Sequence, residues 1–383
     1  MLKSEAVSYE ILGEEYVDLA EKYRTLLDRD NGTPVGLFTG DECLSGLSPI
    51  QGTELCAVAE QMYSYEWLFA VTGDNKWAER LETLAFNALP ATLSDDMWAH
   101  QYVQMSNQMA CEKFGGRSLF RSNNDEAHLF GLEPNYGCCT ANFNQAWPKF
   151  ALSAFLHRDN TVLSAVPVPS VLSDNGITVV LETKYPFENA LCYRVKTERA
   201  FTLQIRVPSF AENVTVNGKS ANEKTLSFAF AAGSEAEITV CFDVTPHFID
   251  RPYELKTAVC GSLVFSLPVR YEKVKKEYEA WGVERKFPYC DYEYKPLSPW
   301  EYAFAADELT VCRQEIGEYP FSSEHPPVVL QTMLKPIAWG LEDGFDSVCA
   351  KTPQSREPLG EAEDLLLYPY GCAKLRMTEL PKI

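Results

Sequence analysis

Residues 132–159, LEPNYGCCTANFNQAWPKFALSAFLHRD, hold the turning point of the chain. The first half sets two adjacent cysteines, Cys138 and Cys139, in a polar, aromatic run with the periodicity of neither a clean strand nor a clean helix. The second half, from Asn144, reads as a helix despite its internal Pro148, and just beyond it the texture of the sequence changes. Neighbouring Cα atoms lie about 3.8 Å apart, below the usual disulfide span, so adjacent cysteines bridge only under strain. The pair asks for a use other than oxidation.

Upstream, the pattern is helical. In YEILGEEYVDLAEKYRTLL the apolar positions Leu12, Tyr16, Leu19, Ala20, Tyr23 and Leu27 form one amphipathic stripe. ELCAVAEQMYSYEWLFAVTG reads as a second helix closed by Gly73, and NKWAERLETLAFNALP as a third closed by Pro90. Residues 91–141, rich in Asn, Gly, Met and aromatics, show little periodicity, and irregular connections of that length are often functional. Downstream, from about residue 161, come short β-rich runs such as ITVVLETKY, ALCYRVKT, FTLQIRVP and AEITVCF, with Asn217-Gly218 as a hairpin signal. The expected fold is therefore α + β and multidomain. A helical domain spans 1–160, and an antiparallel β-sandwich spans 161–383, with a C-terminal segment that returns to pack on the helices.

Composition narrows the function. Against 34 Lys and Arg stand 54 Asp and Glu, a net charge of −20 that repels phosphate backbones and anionic lipid, so nucleic acid and membrane surfaces are not expected partners. No apolar stretch reaches the roughly 18–20 residues needed to cross a bilayer, and the first residues lack the apolar core of a signal peptide. The 12 cysteines lack the spacing of a disulfide scaffold and mostly sit in apolar surroundings, which favours free thiols and a cytoplasmic location.

Three cysteines stand in polar settings that suggest chemistry. GTELC supplies Glu54 and Cys56, and GCC supplies Cys138 and Cys139, four groups of the kinds zinc prefers. Positions i and i+2 diverge on an ideal helix, so Glu54 and Cys56 converge only where the chain is irregular, which Pro49 and Gly52 allow. On spacing alone, a buried helix cysteine plus a chance pair is the somewhat better-supported alternative. In GLFTGDECLSG, Asp41 and Glu42 occupy a glycine-flanked loop and are candidate proton donors, with a solvated loop or helix cap as the alternative. Asn142 is read as either a cap or an orienting group for the cysteines, and His100 and His128 as packing histidines. The Asn213 sequon matters only in a secreted protein.

Taken in order, several motifs form a family pattern: G-x-E at Gly40–Glu42, E-x-C at the head of a helix, TGD with AERLETLAFNALPA, an aromatic stretch ending at Tyr102, and CCTAN. With YPFENALCYRV, FTLQIRVPSFAENVTVNGK, GSLVFSLPV and YPYGCAKLRMTELP downstream, the chain resembles glycoside hydrolase family 127, the β-L-arabinofuranosidase family, over nearly its whole length. The resemblance implies a zinc-dependent retaining hydrolase acting on a carbohydrate, with Cys138 as nucleophile and Glu42 as general acid/base. It implies Glu54, Cys56, Cys138 and Cys139 as Zn2+ ligands, and Glu82 and Tyr102 as residues that hold the sugar. The helix AVAEQMYSYEWLF is more polar and aromatic than the resemblance leads one to expect, which points to a different sugar. A non-catalytic, zinc-stabilised fragment that binds carbohydrate or a partner subunit is the competing reading.

The helical domain of that family is an (α/α)6 barrel. Twelve helices of about 11–12 residues with connections of about 4–6 need roughly 200 residues. Four helices before the sandwich amount to a partial barrel, so the expectation is a complement to residues 1–160, either an upstream segment, a separately encoded half or a second copy, with the chain weakly active or inactive on its own.

Overall fold

The computed structural model describes residues 2–13, 17–131 and 137–383. The α-helices all end by Leu152, with short strands from Gly52 onward among them, and longer strands follow from Phe155. The stripe expected over one helix is divided between two, Lys3–Leu12 and Val17–Asn31. Gly13 causes the break: its φ of 109° is open to glycine and unfavourable for other residues, and its N–H caps the first helix on the Tyr9 carbonyl at 3.0 Å. Tyr16 lies outside the described residues.

The helix Leu55–Thr72 closes on Gly73, at φ 66°, as expected. The helix that starts at Asn75 runs through a π-helical stretch, Leu84–Ala88, to Ala91, so Pro90 sits inside its last turn rather than ending it. Asn87 supports the widened turn. Its amide donates to the carbonyls of Thr83 and Ser262, each at 2.7 Å, and its oxygen accepts from the Val264 N–H at 2.8 Å. The cysteine pair proves to be helical: Gly137–Leu152 is one helix with Cys138 and Cys139 in its first turn. Residues 132–136 of the same stretch lie outside the described residues.

Residues 91–131, expected to be irregular, are largely buried and carry the short strands His100–Gln101, Val103–Met105, Asn107–Gln108 and Phe130–Gly131. Periodicity fails here because amide side chains replace part of the backbone ladder. Gln101 donates to the His128 carbonyl at 2.7 Å, Gln104 to Ala88 at 2.8 Å and Gln108 to Lys374 at 2.9 Å. Asn107 donates to the Glu379 carbonyl and accepts from the N–H groups of Thr378 and Glu379, all at 2.9 Å. Such polar residues belong in a core when each backbone group they meet is satisfied.

The chain forms two compact units. One comprises Met1–Val17, Met62–Glu82 and Ala146–Thr245; the other comprises Asp18–Gln61, Thr83–Gln145 and Pro246–Ile383. In the first, a six-stranded sheet and a four-stranded sheet are built from residues 155–243. Ser164 and Tyr193 hydrogen bond from one sheet to the other at 2.8 Å. Pairing is antiparallel except between Phe201–Arg206 and Thr161–Ser164, which run parallel. The Asn217-Gly218 hairpin forms as read, both residues having positive φ and Val216 pairing with Lys219. In the second unit a ten-stranded sheet takes in the C-terminal segment, whose Arg376–Met377 pairs with both Asn107–Gln108 and Leu267–Pro268. Among the described residues no helix is long and apolar enough to cross a membrane.

Candidate metal and acid/base site

The site lies within the second unit and starts from a short strand, Gly52–Glu54, paired antiparallel with Val103–Met105. A Cβ on Gly52 would lie 1.8 Å from Cγ1 of Val103, so the close approach of these strands requires glycine there. The strand passes directly into the helix Leu55–Thr72, whose Leu55 N–H bonds the Tyr102 carbonyl at 2.8 Å. This strand-to-helix change is the irregularity that lets Glu54 and Cys56 face the same point. The other two thiols arrive on the first turn of the helix Gly137–Leu152. All three cysteines thus stand at helix N-termini, where the positive end of the helix favours anionic sulfur.

One ligand atom from each of Glu54, Cys56, Cys138 and Cys139 can be chosen so that all four lie within 4.8 Å of one another. The Cys56 and Cys139 sulfurs are 3.5 Å apart. Cys139 is buried, Glu54 and Cys56 are half-buried, and Cys138 is exposed. Left to themselves, these groups cannot all ionise. Burial, then the Cys56 sulfur beside it, pushes Glu54 up to about 8, and burial raises Cys138 to about 11. Hydrogen bonding to Cys56 pushes Cys139 far above the normal thiol range, whereas Cys56, bonded by Cys139, drops to about 6. Four potential anions converge where roughly one charge is sustained, the electrostatic pattern of a set completed by a cation. Three thiols and a carboxylate fit a thiophilic ion such as zinc.

Glu42 stands beside this group and outside it. Its loop is tied to the Glu54 strand through Gly40, whose N–H bonds the Gly52 carbonyl at 2.8 Å and whose carbonyl accepts from the Glu54 N–H at 3.0 Å. The Glu42 N–H bonds Ser122 Oγ at 3.0 Å. Asp41, the other carboxylate of the loop, is structural: it accepts from the N–H groups of Ser122 and Asn123 at 2.7 and 2.8 Å. Burial raises its pKa, but these bonds outweigh burial and hold it below the usual carboxylate range. Ser122 and Asn123 were not singled out in the sequence, and no local pattern marks two loops some 80 residues apart as partners.

Tyr102 is buried, with its hydroxyl donating to Glu42 Oε1 at 3.1 Å, near the Glu54 carboxylate. Burial and then those two carboxylates push its own ionisation far above the normal phenol range. His100 bonds Thr140 Oγ1 at 2.9 Å, next to the cysteine pair. His128 packs against Phe114 and Phe120 in full burial, which lowers it to about 3, a packing histidine as read. Glu82 does not join the cluster. It lies in the first unit, fully buried, ion-paired with Arg206 and accepting from the Tyr185 hydroxyl at 2.5 Å. These partners enclose the carboxylate.

The described residues combine helices and antiparallel sheets with a thiol-carboxylate cluster beside a separate carboxylate. Residues 166–232 match the family model described as "Beta-L-arabinofuranosidase, GH127 middle domain". The fold is that of a GH127 β-L-arabinofuranosidase from Geobacillus stearothermophilus T6, at TM-score 0.69 and 15% identity over 100% of this chain and 59% of that one. A protein titled "Glycoside hydrolase" matches at TM-score 0.69 and 16% identity over 100% and 64%, and a further GH127 β-arabinofuranosidase at TM-score 0.65 and 16% identity over 100% and 59%. The chain spans about three-fifths of the length of these solved proteins. No curated protein sequence matches it. The chain resembles glycoside hydrolase family 127, as its motifs indicated.

Proposed function

We propose that this chain carries the catalytic centre of a retaining glycoside hydrolase, with Cys138 as nucleophile and Glu42 as acid/base, acting on a furanoside or related plant-derived sugar. Its helices form part of an (α/α)6 barrel, and Glu54, Cys56, Cys138 and Cys139 hold zinc. Bound there, zinc keeps the thiols as thiolates at neutral pH. The Cys138 sulfur bonds to the anomeric carbon as the bond to the leaving oxygen breaks, and Glu42 gives that oxygen a proton. A water then yields a proton to Glu42 and its oxygen to the anomeric carbon, while the carbon–sulfur bond breaks and its electron pair returns to Cys138. Two displacements at one carbon retain its configuration.

The observation that carries this reading is the Glu42 carboxylate held by the Tyr102 hydroxyl, outside the four-residue cluster. A purely structural zinc site has no use for a positioned carboxylate outside its ligand set. The exposure of Cys138 beside a buried Cys139 also favours Cys138 as the thiol that meets substrate. The test uses alkyl and activated aryl β-L-arabinofuranosides. Cys138→Ser abolishes turnover of both, because a serine hydroxyl without a paired base is a far weaker nucleophile. Glu42→Gln loses most activity on alkyl leaving groups and less on activated aryl ones, where protonation matters little. Equal losses on both would remove Glu42 from the acid role.

A further inference from the structure

A tight loop, residues 94–99, presents Trp98 at the surface just before the strand His100–Gln101. The Ser94 N–H closes the loop on the Ala99 carbonyl at 2.9 Å, and the Trp98 N–H bonds Asp96 Oδ1 at 3.0 Å. Inside it Met97 holds φ 57°, a left-handed conformation unfavourable for methionine. The indole is 44% exposed but pinned: Nε1 donates to the Pro288 carbonyl at 3.0 Å, and the ring meets that of Tyr289 with centroids 6.1 Å apart at 46°. Phe287 and Tyr289, on either side of Pro288 in the chain, are 67% and 53% exposed.

Sheet register locates these rings. His100–Gln101 and Asp291–Pro296 each pair antiparallel with Phe130–Gly131, so they run parallel to one another and begin at the same end of the sheet. Trp98 and Tyr289 precede those two beginnings. Phe130–Gly131 finishes at that end, and the helix Gly137–Leu152, which carries Cys138, starts six residues later. His100, two residues from Trp98, bonds Thr140 in the first turn of that helix at 2.9 Å. The aromatic surface thus occupies the end of the sheet that meets the cysteine-bearing helix.

Charge and size select what such a surface binds. Lys273 pairs with Asp96 at 3.7 Å, Lys275 with Glu277 at 2.8 Å and Lys286 with Glu284 at 2.9 Å, so these lysines are not left to hold an anionic group. At about 150–250 Å² per aromatic side chain, the three rings expose on the order of 300 Å². A stable protein interface needs about 800 Å² per partner. One or two sugar rings fit the smaller area, and the C–H face of a sugar carries the slight positive charge that an aromatic face attracts.

We propose that Trp98, Tyr289 and Phe287 form a stacking platform for a neutral sugar residue of the glycan beyond the scissile bond. The platform rests on the reading of the chain as a glycoside hydrolase, and not on the roles of Cys138, Glu42 or zinc.

The test is calorimetric titration of the full chain with a sulfur-linked tetrasaccharide of β-L-arabinofuranose, which resists hydrolysis, and with methyl β-L-arabinofuranoside. Trp98→Ala and Tyr289→Ala each weaken the tetrasaccharide about 10-fold and leave the methyl glycoside within about twofold, because only the longer ligand reaches the rings. Tyr289→Phe keeps wild-type affinity, since the ring face and not the hydroxyl makes the contact. Unchanged tetrasaccharide affinity in Trp98→Ala overturns the platform. Equal weakening of both ligands also overturns it, as does a wild-type chain that binds the tetrasaccharide no more tightly than the methyl glycoside. A wild-type dimer lost in Trp98→Ala, read by sedimentation velocity, assigns the surface to a second copy and overturns it too. A chain that shows the tetrasaccharide effects but hydrolyses no arabinofuranoside keeps the platform and removes the catalytic reading. Hydrolysis of the methyl glycoside without the tetrasaccharide effects does the reverse.

Discussion

Substituting Gly52 by alanine tests the join on which the site is built. The new methyl would sit 1.8 Å from Val103 Cγ1, 3.1 Å from the Gln104 carbonyl oxygen and 3.3 Å from Phe120 Cε1. Carbon contacts settle at about 3.5–4.0 Å, so the first of these needs about 2 Å of relief. Val103 is fully buried and β-branched, with little freedom at χ1, and the Gln104 contact is to backbone, so the strands themselves must part. Overpacking of this kind costs about 1–3 kcal/mol, and three converging contacts place Gly52→Ala toward the upper end. Glu54 is two residues along the moving strand, and metal–ligand distances tolerate only about 0.2 Å, so zinc affinity falls together with the thermal midpoint. Val103→Ala removes the worst contact at a transfer cost of about 1.6 kcal/mol, from about 0.8 per buried methylene. Combining it with Gly52→Ala should cost less than the sum of the two single changes, with a coupling of about 1 kcal/mol. Differential scanning calorimetry and chelator competition on the four proteins measure both quantities. A Gly52→Ala chain with wild-type midpoint and wild-type zinc affinity would refute the reasoning.

Three further outcomes are expected. Wild type holds about one zinc per molecule by elemental analysis, and Cys139→Ala falls well below that, because removing one of four ligands opens the set; equal zinc in both removes Cys139 from it. Glu82→Gln leaves Arg206 buried and unpaired, at a cost of about 3–5 kcal/mol, so its thermal midpoint drops while zinc content stays; a wild-type midpoint with lost sugar affinity would make Glu82 a sugar contact. Glu66 is raised by burial from 4.5 to about 8. The folded chain therefore holds a proton there that the unfolded chain has released, and stability declines as pH rises between about 4.5 and 8. Glu66→Gln flattens that decline in thermal melts across the pH range, and an unchanged slope would contradict the burial argument.

The sequence by itself determined the order of the elements, because helical and strand periodicities are local and Gly73 and Asn217-Gly218 act on their own backbones. It also named the four groups of the cluster and the loop carboxylate, since the kinds of side chain that bind a soft metal or move a proton are few. Tertiary structure decided what distance along the chain conceals. The cysteine pair looked irregular because its helix turns a polar, ligand-bearing face toward another helix rather than toward an apolar core. Residues 91–131 looked like a loop because their buried amides bond to backbone as far away as Thr378 and Glu379, a partnership without local periodicity. Glu82 looked available because its closest charge along the chain is Arg80, whereas its ion-pair partner is Arg206, brought to it by the fold. Asn142, read as either a cap or an orienting group, accepts from Gln145 one turn along the same helix. Hydrogen-bond direction depends on which groups meet in space, and that is a property of the folded chain alone.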